Sequence, residues 1–168
     1  MKIFILGHGR HGKDTMAEQL KEDWGVKFAD SSYFMADRVV KGILESEYGI
    51  KYDTAQECWE DRHNHRPKWY RIISAYNGTD PTKLSRAIFA ENSIYVGIRN
   101  RDEFLAARKL ADISVWVDAS RRLPPEPNNS MTILREDADI VIENNGSLIE
   151  FQEKVHRLAK TWPLSRDC

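Results

Sequence analysis

The stretch Gly7-His8-Gly9-Arg10-His11-Gly12-Lys13-Asp14-Thr15 limits what this chain can fold into more than any other. A short apolar run, Lys2–Leu6, precedes it, and Met16, Ala17, Leu20 and Trp24 follow at helical spacing. Glycines let the backbone curl so that successive N–H groups point at one spot. The first turn of the following helix adds the positive end of its dipole there. A strand, a Gly-x-x-x-x-Gly-Lys loop and a helix in that order make a phosphate cradle. Lys13 supplies a mobile point charge for the β- and γ-phosphates of ATP, and the Thr15 hydroxyl is a ligand for Mg²⁺. Gly7, Gly9, Arg10, Gly12, Lys13, Asp14 and Thr15 are therefore the expected nucleotide-binding residues, with Thr15 on the metal.

The rest of the chain supplies a sheet for such a loop. Gly25 ends the first helix, Val26–Ala29 is a second strand, and Ser31 or Ser32 caps a helix carrying Phe34, Val39, Val40, Ile43, Leu44 and Tyr48. Residues 53–92 read as helical, with breaks at Pro67 and near Asn77–Pro81. Ser93–Ile98, Ile113–Val117 and Ala138–Ile142 read as strands. A helix over Asp102–Leu110 separates the first two, and the proline-rich segment Leu123–Ser130 lies between the second and third. Asn144–Ser147 caps a last helix with Leu148, Phe151, Val155 and Leu158 on one stripe. Strands alternating with helices predict an α/β three-layer sandwich, a five-stranded parallel sheet with helices on both faces and a short lid at about 119–131. The 168 residues are one domain's worth, 1–168, since single cores hold about 100–200 residues.

Charge excludes one class of function. Lys+Arg is 25 and Asp+Glu is 26, a formal net charge of −1, so the surface as a whole is not a basic coat for nucleic acid or anionic membrane. No apolar run approaches the roughly 20 residues of a membrane span, and the N-terminus carries no secretory pattern. Cys58 and Cys168 make neither a disulfide framework nor a zinc motif. The expected compartment is cytoplasmic, with no membrane partner.

Other residues fall where ligands collect, at the carboxyl edge of the sheet. Asp30 follows the second strand; it is either a general base for a hydroxyl acceptor or a helix cap. Arg99 and Arg101 follow the third strand and can grip a phosphate bidentately or pair with Asp102 and Glu103. Arg62, His63, His65, Arg66, Lys68 and Arg71 surround Trp69 and Tyr70. Cations interleaved with aromatics suit phosphate contact and base stacking by Arg66, Trp69 and Tyr70, or simply form a solvated helix face.

Three segments together resemble a known family: Gly7–Thr15, then Val96–Glu103 before an Ala-Ala-Arg helix, then Ala138–Leu148 with its Asn-Asn-Gly. The chain resembles the phage P-loop deoxynucleotide monophosphate kinases and the related phage kinases of 5-hydroxymethyluridine in DNA. The resemblance spans residue 1 to about 160 and is loose between 45 and 92. It implies a P-loop kinase-like fold, ATP with Mg²⁺, and a location in the host cytoplasm. The Gly-Lys-x-Thr form is similar to that of nucleoside monophosphate kinases. Asp30 resembles the acceptor-facing aspartate of dephospho-coenzyme A kinase and shikimate kinase. The family pattern implies acceptor-phosphate binding by Arg99 and Arg101, charge neutralisation by lid arginines Arg121 and Arg122, and adenine contact at Asn145. The expected catalytic set is Lys13, Asp30, Arg99, Arg121 and Arg122. The expected acceptor is the 5-hydroxymethyl hydroxyl of 5-hydroxymethyl-deoxyuridine in phage DNA, as in thymidine hypermodification. The alternatives are a kinase making deoxynucleoside diphosphates from monophosphates, and a nucleotide-binding module without turnover.

Overall fold

β1, Ile3–Leu6, is buried on both faces, and its side chains alternate between two separate cores. Phe4 and Leu6 enter one core, Ile3 and Ile5 the other. That is the signature of a central strand in a parallel sheet. The computed structural model describes residues 1–127 and 130–162; Asn128 and Asn129 of the expected lid, and Cys168, lie outside the described residues. Among the described residues five strands form one parallel sheet in the order β2-β3-β1-β4-β5, with β2 at Phe28–Asp30, β3 at Ile94–Val96, β4 at Ile113–Asp118 and β5 at Ile140–Glu143. The five-stranded parallel sheet with helices on both faces expected from the sequence is the one observed.

On one face, α1 (Lys13–Trp24) lies beside α8 (Leu148–Lys160), and Met16, Leu20, Phe151 and Val155 cover Ile5, Val96 and Val115. The other face is larger. It is covered by a nearly continuous rod, α2 (Ser31–Met35), a widened π-type turn (Ala36–Val40) and α3 (Lys41–Tyr48), then by α4 (Ala55–Glu60), α5 (Arg66–Asn77), α6 (Lys83–Glu91) and α7 (Arg101–Ala107). Phe4 is its hub, with Phe89, Tyr95 and Phe104 rings 4.9–5.5 Å away, edge-on or tilted. No helix among the described residues is long and apolar enough to cross a membrane.

Three local expectations are corrected. The helix after β2 is capped by Asp30, whose Oδ1 accepts from the Tyr33 amide at 2.9 Å, and not by Ser31 or Ser32. The helix therefore begins one residue earlier than its serines suggest. Pro67 does not break a helix but opens one, in the first turn of α5, where its missing N–H has no intrahelical partner to lose. β4 runs one residue further, to Asp118, because β5 pairs with it in register there.

Register places the chemistry. β1 is flanked by β3 and β4; the chain runs from β1 to β2 on one side and crosses from β3 to β4 on the other. That switch opens a crevice at the carboxyl ends of the strands. Asp30 is level with Val96 across the β2–β3 pair, and Leu6 is level with Trp116 across β1–β4. The loops after β1, β2, β3 and β4 therefore emerge at one rim.

Truncating the hub should be costly: Phe4→Ala is expected to lose about 3–5 kcal/mol by urea denaturation, the usual range for a buried Phe.

Candidate functional site

The loop between β1 and α1 is bent by backbone sterics. Gly7 has φ of +136°, and a Cβ there would stand 2.6 Å from the Val117 carbonyl oxygen on β4. No other residue fits that approach. Arg10, not a glycine, also has a left-handed φ of +62°. Such backbone strain clusters at ligand sites. The loop ends at the N-terminus of α1, which has no side-chain cap, so its first amides remain free for an anion.

Lys13 heads α1, is only 9% exposed, and donates its ammonium to the His8 carbonyl at 2.7 Å. Burial pulls its pKa below the ordinary lysine value, with Arg99 adding to the fall, while Asp14, Glu126 and Asp30 oppose it. Asp14 stands next, where Ser or Thr is usual. Burial raises its pKa, and the charge of Asp30 raises it further. Two carboxylates thus share the crevice with incomplete neutralisation. Oxygen donors of this kind, with the Thr15 hydroxyl, fit a Mg²⁺ ion, which binds through one or two carboxylates and the phosphates it accompanies.

Asp30 divides its carboxylate between two tasks. Oδ1 accepts from Tyr33 N and, at 2.5 Å, from the Ser32 hydroxyl, which in turn accepts from Trp59 Nε1 at 2.8 Å. Oδ2 lies 3.0 Å from where a Cβ on Gly97 would stand and receives no hydrogen bond among the described residues. Arg62 closes this side. Its guanidinium lies 4.1 Å from the Trp59 ring centroid and donates to the Trp59 carbonyl at 2.7 Å. Burial lowers its pKa, while the charge of Asp30 raises it, with Arg66, Arg99 and Asp14 also acting on it.

The expected site residues divide. Asp14, Asp30 and Arg99 all bear on Lys13, and Asp30 bears on Asp14. Arg121 and Arg122 leave β4 at the same rim, joined to the Asn-Asn turn: the Arg121 amide donates to Asn145 Oδ1 at 3.1 Å, and Arg122 Nε to the Asn144 carbonyl at 2.6 Å. Arg101 turns elsewhere. Its guanidinium makes a two-point pair with Asp137, at 2.7 and 2.8 Å, rather than with Asp102 or Glu103. The stacking expectation for Trp69 is corrected: the ring is 6% exposed within the larger core and has no face for a base. Tyr70 is 78% exposed on the outside of α5, and the Arg66 guanidinium contacts His63 Nδ1 at 3.3 Å. An aromatic beside Asp30 is Trp59, ten residues before Trp69; Trp59 donates to Ser32.

Five contacts had no reading in the sequence. His8 Nδ1 accepts from the Glu126 amide at 3.1 Å, and His11 Nδ1 from the Ala119 amide at 3.1 Å, so both loop histidines hold the segment after β4. Asn144 Nδ2 donates to the His11 carbonyl at 2.8 Å, tying the β5 turn to the same loop. Glu126 Oε2 accepts from Gly9 N at 2.8 Å, and its Oε1 pairs with Arg99. The spacing of histidines inside the glycine loop was the available signal; the partners lie more than 100 residues away.

No family model matches the chain, and no curated protein matches it. Among solved structures the chain is similar to TT1252 from Thermus thermophilus, at 18% identity and a TM-score of 0.54, covering 96% of this chain and 98% of that one. It is also similar to a sugar kinase from Janibacter sp. (16% identity, TM-score 0.47, 96% and 95% covered) and to shikimate kinase from Aquifex aeolicus (14% identity, TM-score 0.47, 95% and 96% covered). At such identities the likeness is one of fold.

The histidines predict a pH dependence. Burial lowers the pKa of both, with His11 and Lys13 adding to the fall at His8 and Lys13 adding to it at His11. The unfolded chain then binds protons that the folded chain refuses, so stability is full above the ordinary imidazole value and falls as pH drops through it. Thermal unfolding should show stability declining from pH 7.5 to 5.5. A His8→Asn/His11→Asn variant, whose amide oxygens still accept, should show a flatter slope.

Proposed function

We propose that the chain is an ATP-dependent phosphotransferase with a hydroxyl acceptor, the acceptor being the 5-hydroxymethyl group of 5-hydroxymethyl-deoxyuridine in DNA. The observation that carries the hydroxyl reading is Asp30 Oδ2. It is a carboxylate oxygen without a hydrogen bond among the described residues, at the mouth of the phosphate loop, on a side chain whose other oxygen is fixed by Ser32 and Tyr33. A hydroxyl nucleophile must lose a proton, and a fixed carboxylate within reach is the group that takes it. A phosphate acceptor needs no such base. The sequence resemblance supplies the deoxynucleotide.

In this reading the amides of the loop and Lys13 hold the β- and γ-phosphates of ATP. The acceptor oxygen attacks the γ-phosphorus, its proton passes to Asp30 Oδ2, and ADP leaves. Arg99, with Arg121 and Arg122 from the lid, offsets charge on the moving phosphoryl group; such arginines are worth about 10³–10⁵ in rate. Thr15 and Asp14 are the residues that would hold Mg²⁺, whose chemistry is to neutralise phosphate charge. Asn145 would contact the adenine. The Arg62 guanidinium, stacked on Trp59, is the plane on which an acceptor base would stack, with Arg66 toward flanking phosphates.

A second reading, a deoxynucleoside monophosphate acceptor, is favoured by one observation: Arg62 and Arg99 flank Asp30, and paired guanidiniums suit an acceptor phosphate. One substitution separates the two. Asp30→Asn keeps a good helix cap, so folding is retained. It should lower transfer of label from γ-labelled ATP to hydroxymethyluracil-containing DNA by about 10²–10⁴, the usual worth of a general base. Label on free monophosphates with Asp30→Asn fully active would replace the first reading by the second. ATP binding with transfer to neither acceptor would identify a binding module. Lys13→Met should abolish transfer in either kinase.

A further inference from the structure

The proline-rich segment after β4 reaches back into the phosphate loop. Glu126 lies between Pro125 and Pro127, with Pro124 before them. Three prolines have no N–H and a fixed φ, and a residue before proline is held extended. Glu126 therefore carries the one backbone donor of residues 124–127, and that donor goes to His8 Nδ1 at 3.1 Å. The side chain follows the backbone inward. Oε2 accepts from the Gly9 amide at 2.8 Å, and Oε1 pairs with the Arg99 guanidinium.

Each of these partners is a group that an anion in the loop would use. The Gly9 amide is part of the curl, and Arg99 comes from the neighbouring strand end. Lys13, the third such group, feels the Glu126 charge and meanwhile donates to the His8 carbonyl of its own loop. Burial works against the charged form of Glu126, yet Arg99, the Gly9 amide and Lys13 hold its pKa below the ordinary value, so it sits there as an anion. A surface ion pair of this size is usually worth little. This one is different in kind, because its carboxylate also takes a loop amide and its backbone is clamped by a loop histidine.

We propose that Glu126 is an internal latch: its carboxylate takes up anion-binding groups of the nucleotide-free loop, and the donor's phosphate must expel it, freeing the Gly9 amide and Arg99 in one event. The inference rests on the reading of the loop as a nucleotide site. It adds a coupling: binding at the loop releases the stretch around Glu126, and the arginine needed for transfer is withheld until then. A latched fraction lowers apparent affinity in proportion, so removing the latch tightens binding without any new contact.

The test compares the whole wild-type chain with Glu126→Gln by calorimetric titration of MgATP and, separately, of inorganic pyrophosphate. The glutamine keeps the size and loses the charge. The expected result is about tenfold tighter binding of both probes by the variant, as follows if the latch is closed in about nine-tenths of molecules. Amide hydrogen exchange provides the second reading. Without nucleotide, the Gly9 amide should exchange faster in Glu126→Gln and in Glu126→Ala than in wild type. Equal or weaker binding by the variants, with wild type binding MgATP, overturns the latch and leaves the nucleotide site standing. Absence of binding by every form overturns the nucleotide reading, and the latch as a nucleotide gate with it.

Discussion

The structure turns on one steric fact: between β1 and α1 the backbone passes so close to β4 that only a hydrogen fits on the Gly7 Cα. That approach forces the curl, and the curl aims amide groups and the free end of α1 at one point. Everything else at the rim is arranged around this concentration of positive potential. Lys13 reinforces it, Asp14, Asp30 and Glu126 answer it, and Arg99 stands between them. The geometry that would attract a polyanion is thus already built into the backbone, before any ligand arrives.

The carboxylates show how one location can serve several ends. Asp30 is both a helix cap and a crevice group, because a carboxylate has two oxygens and capping uses only one. The sequence leaves cap and base as rivals; the structure removes the rivalry. Arg101 shows the opposite outcome. It has the same sequence surroundings as Arg99, two residues away, yet Asp137 engages it with both ends of its guanidinium. That pair joins the start of α7 to the turn before β5 and leaves Arg99 as the arginine facing the loop.

The loop histidines join two elements far apart in sequence. Their Nδ1 atoms accept amides from residues 119 and 126, the root and tip of the segment that returns over the site. Segment and loop are thus linked through neutral imidazoles, and the position of one depends on the other. Under the proposed phosphoryl transfer, these hydrogen bonds would couple the returning segment to the loop that holds the donor.

What the sequence determined by itself was local and periodic. The apolar run, glycine spacing and helical stripe located the loop, α1 to its terminal residues, and the parallel alternation, because those signals involve only neighbours in the chain. Tertiary structure decided which of two nearby aromatics or arginines meets the crevice. Trp69 sits among basic residues in sequence but turns its ring into the core; Trp59, unmarked by any motif, meets Arg62 and Ser32 instead. Side-chain direction on a helix depends on which face packs against the sheet, and ion-pair partners such as Glu126 with Arg99 and Asp137 with Arg101 are chosen by strand order and loop return. Those are long-range properties, and no window of consecutive residues contains them.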